Sequence, residues 1–184
     1  MKEVIRTGGK LAAICAVAAI SLGIVNAITE PIIITARAAR LKDALSELSV
    51  MLGIDGYIES QNQDSIRGYY PLSGVDGIDA YIIKVTGAGY AGDMDLLTAI
   101  SFEGVVLSAV LMDHSETPGL GKEAENASYM EKYIGKGKDT VIPSNKSHLS
   151  PKDSDAVTGA SITFIGIGKA LNEASEFVVQ MGGM

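Results

Sequence analysis

The apolar positions of this chain begin as an unbroken block and then become periodic. Leu11 to Ile28 is a run of 18 residues without a charge. A helix of that length spans about 27 Å, close to the roughly 30 Å of a bilayer core, and the run can be extended toward Ile34. Glu30-Pro31 marks a break or a new helix start. From Thr35 to Leu52 the spacing turns helical: Ala38, Leu41, Leu45, Leu48 and Leu52 form one stripe, with Arg37, Arg40, Lys42, Asp43 and Glu47 opposite. This predicts an amphipathic helix whose stripe packs into a core.

Beyond it the period changes to two. Gly53 to Gly77 is polar and turn-rich, with room for short strands. Asp79 to Thr86 alternates as a strand does, with Tyr81, Ile83 and Val85 on one side. A glycine loop follows, Gly87-Ala88-Gly89-Tyr90-Ala91-Gly92. Leu96 to Phe102 and Val105 to Met112, joined at Glu103-Gly104, predict a hairpin. Glu123 to Tyr133 reads as a short helix, Thr140 to Ile142 as a short edge strand, and Ser144 to Asp153 as a hydrophilic connection. Phe164, Ile167, Leu171, Ala174, Phe177, Val178 and Met181 then give a closing helix one apolar face. Ser161 or Thr163 is its expected N-cap.

Charge sharpens the reading of the first segment. The formal charge is −7. Lys2, Glu3, Arg6 and Lys10 make the first ten residues net +2, so the remainder carries −9. A basic leader before an apolar run places the N-terminus in the cytoplasm and the following domain outside. The acidic body excludes nucleic acid as its partner. Val25-Asn26-Ala27 is a passable signal-peptidase site, but the run exceeds the usual signal core of roughly 7–15 residues, which favours a retained anchor. Its many alanines and glycines suit either helix packing in the membrane or a plain anchor. The single cysteine, Cys15, lies inside the run and follows Ile14 instead of a small residue, so it is neither a lipoprotein signal nor part of a disulfide.

Two segments carry candidate chemistry. Asp155-Ala156-Val157-Thr158-Gly159-Ala160-Ser161-Ile162-Thr163 is a small-residue, hydroxyl-rich turn leading into the closing helix. A helix start presents free N–H groups suited to a phosphate. Asp113-His114-Ser115-Glu116-Thr117-Pro118-Gly119-Leu120-Gly121 is a loop with a proline turn. His-x-Glu alone suggests a metal pair, yet no clustered further ligand supports one. No Gly-x-Gly-x-x-Gly follows a strand in a βαβ unit, which argues against a nicotinamide site. A hydrolase using Ser161 lacks a base and a nucleophile elbow, since the histidines are only His114 and His148.

The pattern Asp-x-x-Ser/Thr-Gly-Ala-Ser/Thr-x-Ser/Thr resembles the flavinylation motif of the FMN-binding subunits of the Rnf and sodium-translocating NADH:quinone reductase complexes. His-x-Glu-Thr-Pro-Gly-Leu-Gly resembles the second motif of the same families, in the same order. With the leader, the hairpin and the closing helix, the resemblance covers nearly the whole chain and is nearer to the FMN-binding G component of Rnf. It implies FMN held through a phosphoester on Ser161, where threonine is the more usual occupant. Thr158, Gly159, Ala160, Thr163, His114, Glu116, Thr117, Pro118, Gly119, Leu120 and Gly121 are implied to surround the cofactor. A separate flavin transferase, the other membrane subunits of the complex and membrane lipid are the implied partners; no metal site is expected.

The expected fold is α+β: a single N-terminal transmembrane helix, then an extracytoplasmic FMN-binding domain with an antiparallel-rich sheet and flanking helices. The expected boundaries are 1–10 for the cytoplasmic leader, 11–34 for the anchor and 35–184 for the domain. The implied function is an electron relay, not catalytic alone, in a ferredoxin:NAD oxidoreductase complex coupled to sodium or proton export. A stand-alone anchored FMN module of another extracytoplasmic reductase is the alternative.

Overall fold

The computed structural model describes residues 2–48, 52–54, 58–59, 65–74 and 80–182. Two compact units result, Met1–Arg40 and Leu41–Met184.

The first helix, α1 (Lys2–Leu48), runs through Pro31 without a break, contrary to the expected interruption at Glu30-Pro31. Proline costs this helix one backbone donor; the hydroxyls of Thr29 and Thr35 bond back to the carbonyls of Val25 at 2.9 Å and Pro31 at 3.1 Å. Arg6–Ile33 is long and apolar enough to cross a membrane. Its large side chains, Leu11, Ile14, Val17, Ile20, Ile24 and Ile28 among them, are exposed. The amphipathic segment does not reach Leu52, because the helix ends at Leu48 and Leu52 opens a strand. The side chains of its apolar stripe lie outside the described residues.

In the second unit the described strands form one antiparallel sheet. They are β1 (Leu52–Ile54), β2 (Ile58–Glu59), β3 (Ile66–Gly74), β4 (Ala80–Ala88), β5 (Asp93–Ser101) and β6 (Val106–Asp113). β3 to β6 lie side by side in chain order, and β1 and β2 both pair with β3. The predicted strand is β4, extended through Gly87 and Ala88, and the predicted hairpin is β5–β6. In the stretch read as polar and turn-rich, β3 is nine residues long; Asp79 lies outside the described residues.

Helix α4 (Ser161–Gly182) packs on one face of this sheet. Phe164, Ile167, Leu171, Ala174 and Val178 are buried there with Ile83, Val85, Leu96 and Ile100. The contact is closest where Gly166 crosses β4. A Cβ on Gly166 would run into the Ala88 carbonyl oxygen, and one on Gly87 would stand 3.0 Å from the Gly166 oxygen. Leu72, Ala80, Ile82, Leu97 and Ala99 form a second apolar cluster, as strand alternation requires when both faces of a sheet are apolar.

Three local expectations are corrected. The Glu123–Tyr133 helix is instead a 3-10 turn, Gly121–Glu125, and a single-turn helix, α2 (Ala127–Met130). Asn126, extended at ψ 133°, separates them. No strand forms at Thr140–Ile142; Thr140 closes a tight turn on Gly137 through an isolated bridge. The connection 144–153 holds the start of a helix, α3 (Pro151–Ala156), capped by Ser150, whose Oγ accepts the Asp153 N–H at 3.2 Å.

Candidate functional site

Three segments meet at the start of α4. The first is the glycine loop after β4, closed by the Gly89 N–H donating to the Gly92 oxygen at 2.8 Å. The second is the loop after β6, where Gly119 has φ +74°. Its Thr117 oxygen accepts the N–H groups of Leu120 and Lys122 at 3.1 and 3.2 Å. The third is the turn between α3 and α4, where Gly159 has φ +94°. Side chains rarely tolerate such values, so glycine permits both turns.

Glu116 fastens the three together. It is 6% exposed. Its Oε1 accepts the N–H groups of Tyr90 at 2.7 Å and Ala91 at 3.0 Å, and its Oε2 accepts the Thr163 hydroxyl at 2.5 Å. The Glu116 N–H donates to His114 Nδ1 at 3.0 Å, which puts the ring proton on Nε2, 2.9 Å from Glu125 Oε1. Burial pushes the Glu116 carboxyl up, but the donors from Thr163, Ala91 and Tyr90, with a contribution from His114, outweigh it and hold the group below its ordinary value. A Cβ on Gly89 or Gly121 would collide with this carboxylate. Those two glycines are therefore needed for close approach to Glu116.

Beside the carboxylate lies a cavity of about 520 Å3 lined by Tyr90, Glu116, Thr117, Leu120, Gly121, Gly159, Ala160, Ser161, Ile162 and Thr163. That volume falls within the range of small-molecule sites, about 300–1,000 Å3. The structure thus brings together eight of the residues singled out from the sequence: Ser161, Thr163, Gly159, Ala160, Glu116, Thr117, Leu120 and Gly121. Thr158, His114, Pro118 and Gly119 stand outside the cavity wall. Tyr90 and Ile162, exposed on its rim, are not among the site residues expected from the sequence. The Gly-Tyr-x-Gly loop was the available signal for Tyr90.

The three hydroxyls of the turn have different surroundings. Thr158 donates to the Ser154 oxygen at 3.0 Å and accepts from Lys146 Nζ at 3.2 Å. Thr163 is buried and committed to Glu116. Ser161 is half-buried in the cavity wall, and its hydroxyl bonds to none of the described residues. The expected caps are not made. The helix begins at Ser161, so Ala160 precedes it, and Thr163 points its hydroxyl at Glu116 instead of at the backbone. The first turn of α4, which lines the cavity, therefore has no side-chain cap among the described residues, as suits an anionic oxygen group. Among the described residues, no three His, Cys, Asp or Glu side chains gather as a metal site would require.

This combination fits a phosphate-bearing ligand with an apolar body: an uncapped helix start, a free hydroxyl, and the apolar rim of Tyr90, Leu120 and Ile162. The family model of the FMN-binding domain matches residues 89–176, which contain every wall residue of the cavity. The chain is 35% identical over 106 residues to the G component of the proton-translocating ferredoxin:NAD(+) oxidoreductase complex of Clostridium ljungdahlii, covering 56% of each. It is 31% identical over 96 residues to the G component of the Na(+)-translocating ferredoxin:NAD(+) oxidoreductase complex of Acetobacterium woodii, covering 50% of the chain and 45% of the relative. The matches thus span about half the length of these relatives. Among solved structures, NqrC of Shewanella oneidensis shares the fold at a TM-score of 0.51 and 15% identity, over 73% of this chain and 70% of that one. Residues 89–176 thus match the family model of the FMN-binding domain, and the relatives similar to this chain are subunits of ion-translocating oxidoreductase complexes.

Proposed function

We propose that this chain is the electron-relay subunit of a membrane-bound complex of the Rnf type, moving electrons between ferredoxin and NAD while sodium or protons are exported. FMN is carried as a phosphoester on Ser161. The observation that carries this reading is the state of the three hydroxyls. Only Ser161 is both in the cavity wall and uncommitted, while Thr158 and Thr163 already bond elsewhere.

Attachment uses a separate flavin transferase. The Ser161 oxygen bonds to the FMN phosphorus of FAD, the pyrophosphate bond breaks with AMP leaving, and the hydroxyl proton passes to a base of that enzyme. Backbone N–H groups at the uncapped start of α4 would favour the negative charge of that phosphodiester. Glu116 holds the Tyr90–Ala91 backbone and the first turn of α4 around the ligand; Tyr90, Leu120 and Ile162 supply its apolar border. FMN, when bound, supplies the one- and two-electron chemistry; the protein supplies position and electrostatics. A covalent tether removes loss by dissociation, which matters outside the cytoplasm. We place residues 1–10 in the cytoplasm, 11–34 in the bilayer and the domain from residue 35 onward outside, from the basic leader and the apolar run of α1. The other partners are the remaining membrane subunits of the complex.

The test is co-production of the full chain with a flavin transferase. A fluorescent band should survive denaturing electrophoresis, and the intact mass should rise by one FMN phosphoester. Ser161→Ala should lose both signals, while Thr158→Ala should keep them. A band that persists in Ser161→Ala but disappears in Thr158→Ala or Thr163→Ala would refute the assignment.

A further inference from the structure

We infer that Glu116 holds the reduction potential of the flavin low by keeping a negative charge, hydrogen-bonded only by neutral donors, in the cavity wall. This rests on the Ser161 reading above.

Among the described residues, Glu116 is the only carboxylate in the cavity wall, and no lysine, arginine or histidine lines it. Its three hydrogen-bond donors, Tyr90 N–H, Ala91 N–H and the Thr163 hydroxyl, are neutral. None of the ion pairs found among the described residues includes Glu116. His114 contributes to holding the Glu116 carboxyl low, but its ring bonds to the Glu116 N–H and to Glu125, not to the Glu116 carboxylate oxygens. Lys146 is engaged with Thr158, which is not in the cavity wall. The buried phenol of Tyr129 is pushed up to about 12, by burial first and then by the Glu116 charge.

A flavin gains negative charge or takes up a proton when reduced. A fixed carboxylate beside it disfavours the added electrons, and a buried site of low dielectric strengthens the effect. The same carboxylate is also the clamp of the site, so its two roles must be separated. Glutamine separates them by geometry. Its Oε1 can accept the Tyr90 and Ala91 N–H groups, and its amide nitrogen can donate to Thr163 Oγ1. The clamp is kept and the charge is removed.

The experiment is a redox titration of the full chain carrying covalent FMN. In the flavin-loaded protein, Glu116→Gln should raise the two-electron midpoint by at least a tenfold change in the equilibrium constant, about 30 mV. Thr163→Val keeps the charge but removes one clamp donor, and it should produce no rise. An unmoved or lowered midpoint in Glu116→Gln overturns the proposal, and so does an equal rise in Thr163→Val. Should Glu116→Gln fail to accumulate loaded protein, Leu120→Lys sets an ammonium on the exposed rim of the same cavity. Its midpoint should rise, and an unmoved value likewise overturns the proposal. Wild-type chain without covalent flavin would instead remove the Ser161 reading, before any potential is measured.

Discussion

Thr158, Ser161 and Thr163 carry the same functional group within one turn, and their surroundings give them different uses. Thr158 bonds to its own helix, Thr163 to a buried carboxylate, and Ser161 faces the cavity. The Thr163 partner, Glu116, also makes the domain sensitive to acid. Its carboxyl lies below the ordinary value of 4.5 in the folded chain, so the unfolded chain takes up the proton first. The stability it contributes is complete above that value and is lost as pH falls through the folded value. Thermal melts between about pH 5 and pH 3 should show the wild-type midpoint falling further than that of Glu116→Gln. Parallel falls in the two proteins would show that Glu116 does not govern the acid limb.

At the scale of elements, the decisive contact is α4 lying directly on β4. Gly166 and Gly87 allow that approach, and it brings the start of the helix to the glycine loop. Gly166→Ala adds a single methyl, yet the atom it meets is the Ala88 backbone oxygen, which no side-chain rotation can relieve. The variant should unfold at lower urea, with a loss of about 1–3 kcal/mol, and its flavin load should fall as the helix start shifts. Full retention of both would show that helix and strand can separate without cost to the site. Tyr133 ties the α2 region to the same helix. Its ring stacks on Phe164 at 5.6 Å, and its hydroxyl donates to the Phe164 oxygen at 2.9 Å.

At the scale of the whole molecule, the span Arg6–Ile33 exposes large apolar side chains along its length. Such a surface is stable in lipid and not in water. The chain should therefore stay with the membrane fraction through an alkaline carbonate wash. The orientation proposed from the basic leader adds a second expectation. Protease added to cells stripped of their outer layers should cut the domain while leaving cytoplasmic marker proteins intact. Protection of the domain would invert the assigned topology.

The apolar helix, the β5–β6 hairpin, the buried face of α4 and both motifs were legible in the residues themselves. Each depends on local periodicity or on a short contiguous pattern, and those survive in one dimension. The α3 helix had its signal too, in Ser150-Pro151 followed by Asp153, a cap, a first-turn proline and an acidic third position, but the hydrophilicity of the stretch hides it as a plain connection. The split at Asn126 and the absence of a strand at Thr140 followed from backbone choices that local preference leaves nearly even. The site itself was decided by tertiary structure. Glu116 lies 47 positions from Thr163 and 26 from Tyr90 in the chain, and no periodicity shows which hydroxyl a distant carboxylate will engage. That pairing exists because the fold buries the carboxylate, and a buried charge must find donors wherever the packed backbone presents them.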